Sequence, residues 1–311
     1  MNSSSYNLSS SLSFRDSPST AVAKNVIVLA LGLIINYING TLVHTFRKHQ
    51  IFYTNPRYIL YIHLVLNDMI QLTVSISLFV FSYVFYKINA SFCCLMVIFG
   101  AITTINTPLN LAVMAVECYI AICFPLQHSK LCTIKRTYIL IGCIWALNAG
   151  SVMPDVFITL ATEPVGLFYS DIFCQMENLF RHPVISEKRD VSYLIYLTSV
   201  WLTLLFTYFK IFFAAKVANS VDGNFKKARN TILLHGFQLL LSMVTYLFHI
   251  LQKALIQWFP KHFLEILFVC YIIIQVLPRF ISPIVYGLRD STFKTHLRKY
   301  LLCTMRASNS P

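Results

Sequence analysis

The stretch NVIVLALGLIINYINGTLVHTF, Asn25 to Phe46, contains no Asp, Glu, Lys or Arg. A helix crosses roughly 30 Å of hydrocarbon with about 20 mostly apolar residues, so this segment is long enough to span a bilayer. Six similar runs follow it. Tyr58–Tyr86 carries only Asp68, and Ile88–Val116, Tyr138–Pro154, Val191–Phe209 and Asn230–Gln252 carry none of the four charged residues. The seventh run, Phe263–Gly287, holds Glu265 and Arg279 but keeps the Ile, Val and Leu density of a helix. None shows the strict alternation of a barrel strand. The runs predict an all-α membrane protein, a bundle of seven transmembrane helices.

Composition agrees. Of 311 residues, 57% are apolar and 12% charged, against about 25% charged in a typical soluble domain. That excess of apolar surface has to face lipid. The formal net charge of +13 would suggest nucleic acid in a soluble chain. Here the cations lie between apolar runs, where they set topology and meet anionic lipid, and no nucleic acid is expected. No removable signal peptide is evident in the polar, Ser-rich residues 1–24.

Loop charge sets the orientation. Cations follow the odd-numbered runs: Arg47, Lys48 and Arg57; Lys130, Lys135 and Arg136; Lys216, Lys226, Lys227 and Arg229; and Arg289, Lys294, Arg298, Lys299 and Arg306. The positive-inside rule then places the N-terminus outside and the C-terminus in the cytosol, in a multi-pass protein of the plasma membrane. The division is an extracellular tail over 1–24, a spanning domain over 25–287 and a cytoplasmic segment over 288–311. In that last segment Phe293, Leu297 and Leu301 recur at helical spacing among cations, which predicts a short amphipathic helix on the inner leaflet. Cys303 after it is either a palmitoylation site or a plain thiol. The sequons at Asn2, Asn7 and Asn89 fall on the outer side and are candidate glycosylation sites. The sequon at Asn39 lies at membrane depth and is expected to stay bare.

The nine cysteines form no metal-binding pattern, and nothing asks for a metal or cofactor. Most suit the role of small apolar fillers. Cys93 and Cys174 both fall on the oxidising outer side, where a bridge would pin the 161–190 loop over the bundle mouth. Cys94 is a competitor for the same partner. Charge inside the membrane is costly and marks function, so Asp68 and Arg279 are candidates by default.

One string narrows the class. The third run ends in Met114-Ala-Val-Glu-Cys-Tyr-Ile-Ala-Ile-Cys-Phe-Pro-Leu126, the seventh in Ser282-Pro-Ile-Val-Tyr-Gly-Leu-Arg289, and Lys227-Ala-Arg-Asn-Thr231 opens the sixth. With Asp68 in Leu64-Val-Leu-Asn-Asp, Trp145, Tyr208 and Asn39-Gly, the chain resembles the odorant receptors of the rhodopsin-like G-protein-coupled receptors, in their fish-type branch. The resemblance runs from about residue 25 to 300. It implies a small odorant as ligand, a heterotrimeric G protein as partner, and no enzyme activity. It also implies switch positions at Asp68, Thr107, Glu117, Cys118, Tyr119, Tyr208, Arg279, Ser282, Pro283 and Tyr286. The implied ligand pocket, among the outer halves of the helices, takes Thr104, Tyr196, Tyr246, His249 and Gln275.

Two departures bear on mechanism. Cys118 stands where the family has the Arg that contacts the G protein, and Ser282 where it has Asn. Glu117 therefore lacks its usual neighbour and is left to pair with Lys135 or Arg136, to take up a proton, or to stay solvated. Arg279, one turn before Pro283, either pairs with Asp68 in place of the family's sodium ion, or snorkels or pairs elsewhere. The alternatives are a non-odorant chemosensory receptor, a weakly coupled orphan receptor, or a transporter or channel. The last lacks the internal repeats and charged rings such proteins show.

Overall fold

The computed structural model describes residues 17–85, 87–218 and 262–281, and the isolated positions 237, 255, 258 and 259. The expected sixth helix, the basic 219–229 segment, the expected amphipathic segment 288–311 and Cys303 lie outside these residues. So do Asn2 and Asn7.

Six of the described helices are long and apolar enough to cross a bilayer. The first, Pro18–Lys48, starts seven residues before the charge-free run. Ser17 accepts a hydrogen bond from the Thr20 amide at 3.3 Å and Pro18 occupies the first turn, two signals that set a helix start whatever the hydropathy. Residues 18–24 are thus helix rather than tail. Arg47 and Lys48 close the other end, where cations complement the helix dipole. The second helix, Pro56–Val84, is capped by Asn55 in the same way.

The third helix, Ala90–Cys123, starts at the Asn89 cap and carries Pro108 within it. A short helix, Pro125–Leu131, leads to the fourth, Ile134–Thr162, capped by Thr133. The fifth, Pro183–Ala218, begins eight residues before its apolar run. The last described helix begins at Phe263–Tyr271 and passes into a π-helical stretch, Ile272–Val276. It continues through residues 277–281.

The third helix is the hub, touching the second, fourth and fifth, while the first packs on the second. Leu42, Phe46, Leu60, Leu64, Leu111, Met114 and Leu204 fill the inner half of this junction around Phe52, which is wholly buried in the turn after the first helix. Val28, Ile35, Leu72, Ile76 and Val276 join the first, second and last helices nearer the other face. Gly32 sits where the first two helices approach closely: a Cβ there would stand 2.0 Å from the Ile76 Cδ1. The outward faces are apolar, with Leu33 71%, Phe157 66% and Leu202 63% exposed. A soluble monomer does not leave such continuous apolar faces in water, whereas a bilayer covers them.

At the end where the third helix begins, strands β1 (Ile88–Asn89) and β2 (Asp171–Ile172) pair antiparallel, Ile88 opposite Ile172. Ser91 Oγ donates to the Phe168 carbonyl at 2.7 Å. A disulfide joins Cys93, in the first turn of the third helix, to Cys174. The competitor Cys94 stays a buried thiol. The loop is fastened across this end of the bundle by backbone pairing and a covalent bond together.

Candidate functional site

Three polar groupings line the bundle from one face to the other. At mid-depth, Asn67 Nδ2 donates to the Thr103 carbonyl and to Thr107 Oγ1, both at 3.0 Å, and Asn106 Nδ2 donates to Asn67 Oδ1 at 3.1 Å. Thr107 Oγ1 donates to Asp68 Oδ1 at 3.4 Å. These bonds tie the second helix to the third. Asp68 and Thr107, both among the implied switch positions, thus touch.

The expected direct pair of Asp68 with Arg279 is not among the ion pairs of the described residues. Both groups are buried, and the charge of Arg279 acts on Asp68. The guanidinium is instead engaged by its own helix: Nη1 donates to the Ile274 carbonyl at 2.6 Å and to the Gln275 carbonyl at 2.9 Å. The physical reason is the π-helical stretch. Widening the ladder to i→i+5 leaves carbonyls without their regular partner, and a nearby cation satisfies them. Asn39 in the first helix and Asn148 in the fourth are wholly buried, with no hydrogen-bond partner for either side-chain atom among the described residues. Complete burial fits the expectation that the Asn39 sequon stays bare.

The second grouping lies at the cytoplasmic end implied by the loop charges. Glu117 is buried and does not pair with Lys135 or Arg136. Arg57 Nε donates to Glu117 Oε2 at 3.1 Å, and His128 Nε2 lies 2.9 Å from Oε1. Arg57 comes from the first turn of the second helix and His128 from the short helix after the third, so the carboxylate is held between two elements. Arg136 is occupied elsewhere, donating to the Lys130 and Leu131 carbonyls. Cys118 is a buried thiol packed on Ile211 of the fifth helix.

Tyr119 stacks edge-on against Phe124 and Phe206. Tyr208 is exposed and lies parallel to Phe212 one turn on. Burial, followed by the nearby Glu117 charge, pushes the Cys132 thiol up, which keeps it protonated and unreactive at neutral pH.

The third grouping is a small open cleft between the third, fourth and fifth helices, lined on the loop side by Met176. Asp155 of the fourth helix and Lys188 of the fifth form an ion pair in it. Of the expected ligand residues, the three that are described, Thr104, Tyr196 and Gln275, do not line this cleft. Thr104 turns to the second helix, accepting from Gln71 Nε2 at 2.6 Å. Tyr196 packs against the cluster of Ile102, Ile105 and Val152. Gln275 lends its carbonyl to Arg279. Tyr246 and His249 lie outside the described residues, as do Ser282, Pro283 and Tyr286.

Sequence reasoning missed Arg57, His128, Asp155, Lys188 and also His63, whose Nε2 accepts from Trp145 Nε1 at 2.8 Å. Arg57, Asp155 and Lys188 left a trace, as charges near the edges of apolar runs.

The comparisons agree with this arrangement. The family model of the 7 transmembrane receptor (rhodopsin family) matches residues 38–286, and the chain belongs to that family: it is a multi-pass membrane receptor, a bundle of seven transmembrane helices, and not an enzyme. Odorant receptor 131-2 of Danio rerio is 30% identical over 287 residues, 91% of this chain and 87% of that protein. Olfactory receptor 1N2 of Homo sapiens is 30% identical over 122 residues, 37% of this chain and 39% of that protein. Within the rhodopsin family the chain stands among the odorant receptors.

Proposed function

We propose that this receptor resides in the plasma membrane with its N-terminus outside, binds a small odorant among the outer halves of its helices, and signals through a heterotrimeric G protein. The observation that carries the reading is the family match over 38–286, joined to a bundle whose helices are tied by buried polar side chains rather than by apolar packing alone. Asn39 and Asn148, buried without partners among the described residues, support an interior with more than one hydrogen-bonding arrangement, because such orphans are rare unless a site is built to change. Asp68, Thr107, Ser282, Pro283 and Tyr286 are the proposed switch residues, with Thr104, Tyr196, Tyr246, His249 and Gln275 as proposed ligand contacts. Asn2, Asn7 and Asn89 are the proposed glycan sites; Asn89 is exposed and caps the third helix through its Oδ1, leaving its Nδ2 for a sugar.

Cys118 favours a second reading. A buried thiol cannot make the forked contacts of an arginine, so coupling is weaker than in relatives that carry one. The test is cyclic AMP evoked by odorant mixtures in cells displaying the receptor, beside Cys118→Arg. A response in both, larger in the variant, supports signalling with a limited inner contact. Silence in both, with surface display intact, overturns the signalling reading.

A further inference from the structure

Two asparagines inside the membrane span carry hydrogen-bonding atoms that the described protein does not use. Asn148 of the fourth helix is 0% exposed, and neither its Nδ2 nor its Oδ1 has a partner among the described residues. Asn106 of the third helix is equally buried. Its Nδ2 donates to Asn67 Oδ1, but its own Oδ1 accepts nothing among the described residues.

Helical register brings the two to one level. Val152 shares a core cluster with Ile102 and Ile105. The third and fourth helices run in opposite directions. One turn back along the fourth, from Val152 to Asn148, therefore matches one turn forward along the third, from Ile102 to Asn106. The second helix fixes the same level from another side. Trp145 donates to His63 at 2.8 Å, and one turn further along these two helices, which run the same way, stand Asn148 and Asn67. Asn67 is the residue that Asn106 holds. The three asparagines thus converge where the second, third and fourth helices meet, yet no direct hydrogen bond joins Asn148 to Asn106.

A side-chain amide left unpaired in a low-dielectric interior is costly, and hydrocarbon offers no bulk water to repair the loss. One water molecule meets both needs, accepting from Asn148 Nδ2 and donating to Asn106 Oδ1. The two groups are neutral amides, so an ion of either sign would sit between them unmatched.

We propose that an ordered water binds between Asn148 and Asn106. It joins the fourth helix to the polar chain that runs from Asn106 through Asn67 and Thr107 to Asp68. The site goes beyond the receptor reading, since it requires neither an odorant nor a G protein.

The test uses full-length receptor in nanodiscs. Asn148→Leu keeps the size of the side chain and removes its polar atoms. With a bridging water, the change strands Asn106 Oδ1, and the melting temperature should fall by about 2–4 °C. An Asn148 that were buried dry would be relieved by the same change, so a rise, or no shift, overturns the site. The fall should vanish in an Asn106→Leu background, where the water has already lost its second partner. An equal fall in both backgrounds would mean that leucine merely packs badly there, and overturns the site as well. A density map of the unaltered receptor, at a resolution that shows ordered waters, decides the matter even if a variant does not fold. It should hold a peak within about 2.7–3.2 Å of both side chains. Direct contact of the two amides in that map, or two unpaired amides with no peak between them, overturns the proposal.

Discussion

Glu117 illustrates what a single side chain demands of its surroundings. A carboxylate this buried needs partners, and the usual neighbouring arginine is replaced by Cys118. Arg57 and His128 satisfy it instead. Arg57 is itself 37% exposed at its side chain, so its removal should cost between the values of surface and buried pairs, about 1–2 kcal/mol. We predict that Arg57→Ala lowers the unfolding stability of the purified receptor by that amount, and that adding Glu117→Gln recovers most of it. Strictly additive losses in the thermal-melt cycle would show that the contact carries no energy. This pair was illegible in the sequence. Glu117 and Arg57 are 60 residues apart, and Lys135 and Arg136, nearer to Glu117 along the chain, drew the expectation. The disulfide was legible because compartment and loop position reduce the choice to one cysteine or its neighbour.

Helices carry the next lesson. Their existence followed from charge-free runs, but their ends did not. The first begins at Pro18 and the fifth at Pro183, ahead of their apolar runs, because caps and prolines start helices while hydropathy marks only the part in hydrocarbon. Charged ends such as 183–190 continue the fifth helix above the membrane and bring Lys188 and Arg189 to the cleft. The π-helical stretch Ile272–Val276 was likewise invisible, since no composition specifies it, and it redirects Arg279 from Asp68 to carbonyls of its own helix. At this scale the close approach at Gly32 is testable. Alanine demands that Ile76 turn aside. Gly32→Leu demands that the two helices part, at a cost of about 1–3 kcal/mol. A drop in melting temperature for Gly32→Leu larger than for Gly40→Leu, where a Cβ meets nothing, is the expected result. Equal drops would mean that the helices do not rely on that contact.

For the whole receptor, the fastening of the outer loop is the feature with the widest reach. The Cys93–Cys174 bond closes a loop spanning 81 residues, and native disulfides of this kind contribute about 2–5 kcal/mol. Cys174→Ser and Cys93→Ser should each lower surface display and melting temperature to the same degree, and the double variant should fall no further. A double variant markedly worse than either single one would mean that Cys94 rescues one of them.

Lys24 lies buried near the start of the first helix, its Nζ 3.5 Å from the Leu264 carbonyl and 5.4 Å from the centre of the Phe268 ring. The amino-terminal turns thereby clasp the start of the last described helix. An expression vector trimmed to the greasy run at Asn25 would discard that clasp, whereas an epitope grafted ahead of Ser17 would spare it.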